Sequence, residues 1–69
     1  MRPIRWRNNR ATVDGLLLTL QHGEEYDLIS HEDAGGNVVS IELDPSSKRV
    51  RDAAAYALAD LAHTLQEVG

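Results

Sequence analysis

The chain has 69 residues, a net charge of -4 and no cysteine, which bounds it to one domain with a thin core and excludes a disulfide framework or a thiolate metal site. No apolar run reaches the length of a membrane span, and residues 1–10 lack the apolar stretch of a secretory leader, so a reducing, cytoplasmic compartment is expected. The charge is segregated: residues 1–10 carry four arginines and no acid, residues 11–47 carry eight acids and no lysine or arginine, and the remainder is balanced.

Residues 1–9 read as a basic arm or short strand, with Trp6 set among Arg2, Arg5, Arg7 and Arg10. From Arg10 to Gln21 two readings compete. Val13, Leu16, Leu17 and Leu20 have helical spacing, with Thr12 as a cap, which would give a short helix over residues 12–22. Against this, Asp14-Gly15 is a strong two-residue hairpin signal, and glycine in a first helical turn costs up to about 1 kcal/mol. With Asp14-Gly15 as the loop, Val13 opposes Leu16 and Ala11 opposes Leu18, which puts Ala11, Val13, Leu16, Leu18 and Leu20 on one face. The hairpin is therefore preferred.

Two further strands are expected, over residues 25–31 with Tyr26 and Leu28 on one face, and over residues 37–43 with Val39, Ile41 and Leu43 on one face. Asp33-Ala34-Gly35-Gly36 joins them as a hairpin, and because a strand rather than a helix follows, the glycines are not a phosphate loop. Pro45 ends the last strand, Ser46 or Ser47 caps a helix, and Val50, Ala54, Ala57, Leu58, Leu61, Leu65 and Val68 form its inward stripe. The expected fold is α+β: one domain over residues 1–69, with a four-stranded antiparallel β-meander over 10–44 and one amphipathic helix over 46–68 packed on one face (ββββα). The alternative is βαββα.

The run Arg10-Ala11-Thr12-Val13-Asp14-Gly15-Leu16-Leu17-Leu18-Thr19-Leu20, then a Tyr-containing strand, a Gly-rich turn, another strand and an Ala-rich helix, resembles small uncharacterised proteins of actinobacteria and their phages. The resemblance brings no catalytic or binding residue with it. A phage origin would imply host interference or regulation.

Chemistry-bearing patterns are sparse. His22, His31 and His63 fit no metal-ligand spacing, the serines lack a nucleophile elbow, and the paired carboxylates fall at strand ends where solvated turns explain them. Neither an enzyme, a cofactor, a metal nor a small-molecule substrate is expected. Binding is. If Leu16, Leu18, Leu20, Leu28, Val39 and Ile41 face the helix, then Leu17, Ile29 and Val38 lie on the uncovered sheet face and mark a surface for a second copy or a partner protein, with Trp6 either closing one end of the core or anchoring that surface. A second reading is nucleic-acid binding by Arg2, Arg5, Arg7 and Arg10 with Lys48, Arg49 and Arg51 at the helix start, where cations oppose the helix dipole. A third is host interference through an acidic surface of Glu24, Glu25, Asp27, Glu32 and Asp33.

Overall fold

The computed structural model describes residues 2–44 and 47–68, with Val68 described in its backbone alone. Strands β1 (Arg10–Val13), β2 (Leu16–His22), β3 (Asp27–Glu32) and β4 (Val38–Leu43) form one antiparallel sheet in the order β1-β2-β3-β4, and helix α1 (Lys48–Val68) packs on one face. This is the ββββα arrangement. The stretch that could have been a helix is the end of β1, a turn and β2. Asp14 and Gly15 both have positive φ, 51° and 83°, which matches the right-handed twist of the flanking strands in a two-residue hairpin. The register is the expected one, with Val13 opposite Leu16 and Ala11 opposite Leu18.

A second turn of the same kind was not read from the sequence. Asn8 and Asn9 have φ of 52° and 59°, and on either side of them Arg7 and Arg10 exchange both main-chain hydrogen bonds, at 2.8 and 3.0 Å. Asparagine is the residue besides glycine that most readily adopts this backbone, so Arg-Asn-Asn-Arg was the available signal.

The helix-side face of the sheet holds Ala11, Val13, Leu18, Leu20 and Ile29, all buried, with Ile4 of the arm closing one end. Ile29 is a correction: it is fully buried under the helix, between Leu20 and Ile41, and Leu28 is the residue that turns to the outer face, between Gln21 and Glu42. Leu28 and Ile29 are adjacent and both apolar, so alternation alone does not phase the strand. The β2–β3 turn does so, because Gly23 N–H donates to the Tyr26 carbonyl and sets His22 opposite Asp27.

The helix is rotated relative to the expected stripe. Its buried seam is Asp52, Ala55, Leu58, Ala59 and Ala62, whereas Val50, Leu61 and Leu65 are 48 to 50% exposed and Ala57 is exposed. Leu18, Leu20 and Ile29 already fill the space above the sheet, so small side chains on the facing seam let the helix settle close. Ser47 caps the helix, its Oγ accepting from Val50 N–H at 3.4 Å. The expected roles of Pro45 and Ser46, and of the Val68 side chain, lie outside the described residues.

Candidate functional site

Two strands end the sheet, and their free edges differ. In an antiparallel ladder, alternate residues point their N–H and C=O toward or away from the neighbouring strand. Asn9 C=O bonds Leu20 N–H at 2.7 Å, so residues 9, 11 and 13 face β2, and Arg10 and Thr12 face outward. Both outward groups of Arg10 are taken by Arg7, which leaves Thr12 alone. On the other side, Asp33 N–H donates to Asn37 C=O at 2.9 Å, so residues 37, 39, 41 and 43 face β3. Val38, Ser40 and Glu42 then direct six main-chain groups outward, and none has a main-chain partner among the described residues.

Beside that open edge lies an apolar strip. Val39, Ile41 and Leu43 touch the core but are only half-buried, since the helix covers them incompletely. The orientation of α1 follows from its contacts on either flank. Tyr56 donates its hydroxyl to Arg2 C=O at 2.9 Å, and His63 Nε2 donates to Asp14 C=O at 2.8 Å, so that flank faces the arm and the β1–β2 turn. Leu65 and Ala62 lie with Val39 and Asn37 around a groove of about 430 Å³ on the β4 side. At 100° per residue, Val50, Ala54, Ala57 and Leu61 fall on the same flank as Leu65. Strand edge and helix flank thus run side by side.

The groove also holds His31, 9% exposed. Its Nδ1 lies 3.0 Å from Leu17 C=O, which only accepts, so Nδ1 carries a proton, while Nε2 is buried with no partner among the described residues.

The arm is fixed by one carboxylate. Asp52, 4% exposed, accepts from Ile4 N–H at 3.0 Å and Trp6 Nε1 at 2.9 Å and pairs with Lys48, whose ammonium also donates to Ile4 C=O. Burial pushes this carboxyl up, but the hydrogen bonds from Lys48, Ile4 and Trp6 outweigh it and hold its pKa below the usual carboxylate value. Trp6 therefore closes the end of the core next to Ile4. Nothing in the hydrophobic pattern singles out Asp52 as a buried group. The lone tryptophan needing an acceptor for its N–H was the available hint.

The remaining expected site residues are dispersed. On the outer sheet face Leu17 (55% exposed) and Val38 (60% exposed) share a cross-strand row with Thr12 and Glu32, and Leu28 lies two rows away among Gln21 and Glu42. With Leu28 in the place expected of Ile29, that face carries three aliphatic side chains scattered among polar ones. Arg2, Lys48 and Arg49 meet around a shallow cavity of about 350 Å³, while Arg5, Arg7 and Arg10 are exposed along the arm. Arg51 is turned toward the core side, half-buried, its Nε without a partner among the described residues. Of the acids, Asp27 is a correction: it is 4% exposed and bonded to His22 at 3.1 Å, so it belongs to no surface. Glu24 and Glu25 occupy the β2–β3 turn and Glu32 and Asp33 the opposite end of β3. Asp33 closes its own turn, accepting from the main-chain N–H of Asn37 and Gly35 at 2.9 Å each; the Asn37 bond leads in holding its pKa low.

Among the described residues no group of three or more histidine, cysteine, aspartate or glutamate side chains could hold a metal, and no helix is long and apolar enough to cross a membrane. No protein-family model matches the chain, and comparison with curated proteins and with solved structures returned no similar chain.

Proposed function

We propose that this protein is a small, non-catalytic interaction module of an aqueous, cytoplasmic compartment, and that it binds another polypeptide along the β4 edge and the adjoining flank of α1. The observation that carries this reading is the pairing of a strand edge that is open among the described residues with exposed aliphatic side chains beside it, when the opposite edge is partly closed by the chain itself. Natural edge strands are blunted by charge, proline, bulges or cover, because an open edge templates another strand. Strand addition supplies affinity through main-chain hydrogen bonds and specificity through flanking side chains. A photo-crosslinking residue placed at Leu61 or Leu65 is expected to capture a protein in cells, whereas the same group at Thr19 on the outer face or at Thr12 on the β1 edge is not. Adducts from the outer face would reject this surface.

One observation favours a second reading. The fold brings Arg2 beside Lys48 and Arg49, so one arginine of the arm joins the helix start in a basic patch that could contact phosphate groups. Lys48 is, however, held by Asp52 and Ile4. Retardation of DNA or RNA that weakens steeply with salt, and is lost in Arg2→Ala with Arg49→Ala, would support that reading; no retardation at low salt removes it.

A further inference from the structure

We infer that the occupant of the β4 edge is a second copy of this chain, added antiparallel about a two-fold axis between the two Ser40 residues; this rests on the reading of the β4 edge and helix flank as the docking surface. The edge selects that register. Val38, Ser40 and Glu42 are the outward residues, and only a pairing centred on Ser40 uses all three, placing Ser40 opposite its equivalent and Val38 opposite Glu42 of the second copy. Centring on Ile41 leaves Val38 beyond the paired residues, and centring on Glu42 sets two carboxylates face to face. Centred on Ser40, the two Glu42 residues stand roughly 13 Å apart along the strands, beyond a Debye length of about 8 Å.

The same axis covers the apolar strip. On the helix side of the sheet, Val39 comes opposite Ile41 of the second copy and Ile41 opposite its Val39, completing the row that one helix leaves half-exposed. Helix α1 packs mainly on β3 and β4, reaches the β1–β2 turn through His63, and runs antiparallel to β4, starting just past its end and bringing Leu65 back to Asn37 and Val39. The two-fold axis, about 2.4 Å beyond β4, turns the Leu65 flank of each helix toward that of the other.

The flank is self-complementary when read antiparallel about a centre between Ala57 and Leu58: Val50 meets Leu65 and Ala54 meets Leu61. Edge and flank also match in length, six strand residues spanning about 20 Å and Val50 to Leu65 about 22 Å. The product is a continuous eight-stranded sheet with two antiparallel helices on one face. A chain of this size buries only about 60% of its unfolded surface, and the shared interface extends its thin core.

The chain contains no cysteine, so Ser40→Cys introduces a single thiol. Opposed hydrogen-bonded residues have Cα atoms about 5.5 Å apart, within disulfide reach. The wild-type chain is expected to scatter light as a dimer at roughly 100 μM, an ordinary working concentration for a weak interface. Ser40→Cys should oxidise to a covalent dimer; Glu42→Cys alone should not, and Glu42→Cys mixed with Val38→Cys should give the mixed disulfide. Leu61→Glu with Leu65→Glu should raise the dissociation constant roughly 100-fold with circular dichroism unchanged. A monomeric wild type, or cross-linking of Glu42→Cys as ready as that of Ser40→Cys, overturns the proposal. If the chain is monomeric, a synthetic peptide of residues 37–44 distinguishes the two failures. Slowed amide exchange at Val38, Ser40 and Glu42 on adding it keeps the edge as a docking surface and removes the second copy, while unchanged exchange removes both.

Discussion

The two edges of this sheet come from one chain and carry opposite treatments. At β1 the arm folds back through Asn8-Asn9, pairs Arg7 with Arg10, and leaves only Thr12 open on a strand of four residues. At β4 a strand of six residues exposes Val38, Ser40 and Glu42 in full, beside a helix flank of valine, alanine and leucine. Closing the first edge took local chain, two left-handed asparagines and a buried carboxylate to hold the arm down. Among the described residues the second edge has no such cover, and Glu42 is the one charge on it. An edge strand left open next to apolar side chains is a binding surface or an aggregation hazard, and in a protein that otherwise manages its edges the first is the physical expectation.

The largest effect is expected where the closed edge is held. Asp52→Ala leaves Ile4 N–H and Trp6 Nε1 without their acceptor, while the half-exposed Lys48 ammonium returns to water. A loss of about 2–3 kcal/mol is expected, enough to lower the melting temperature by roughly 10–20 °C in a domain of this size. Amide exchange at Arg7 and Arg10 should quicken at the same time. Acid should act through the same group. Because the folded-state pKa of Asp52 lies below its unfolded value, its contribution is present above about pH 4 and is lost as pH falls through the folded pKa. Thermal melts from pH 6 to pH 2 should show the decline, and Asp52→Asn, less stable at neutral pH, should show a shallower one. An unchanged slope would assign the acid sensitivity elsewhere.

Smaller effects are expected along β4. Ile41 is half-buried, unlike Ile29 beside it in the same row, so Ile41→Ala should cost the monomer about 1–2 kcal/mol where Ile29→Ala costs about 3–5 kcal/mol. In the associated form that gap should narrow, because Ile41 then gains cover from the second copy. Chemical denaturation at two protein concentrations measures both values.

The meander and its first hairpin were legible because Asp14-Gly15 and the alternation around it agree on one register. The two features that decide the candidate site were not. Leu28-Ile29 puts apolar side chains on both faces, so the strand's phase depends on a turn that alternation does not report. The helix carries two apolar seams, and hydrophobicity ranks Leu61 and Leu65 above Ala55, Ala59 and Ala62, although it is the alanines that fit over a sheet already filled with leucine and isoleucine. The first exchanged Ile29 for Leu28 on the outer face, and the second hid the exposed flank inside the core.

Proline separates the edges with the least disturbance to the monomer. Ser40 and Thr12 both point their N–H away from the neighbouring strand, so proline at either removes no ladder hydrogen bond, and each should cost under about 1 kcal/mol of stability. Their effects on association should differ. Thr12→Pro acts at an edge already closed on one side by Arg7, and light scattering should show the wild-type mass. Ser40→Pro removes the central donor of the open edge and places a ring where a second strand would lie, so the same measurement should show a monomer. Equal behaviour of the two variants, in either direction, would mean that β4 holds no special place and that the difference between the edges has no bearing on what this chain binds.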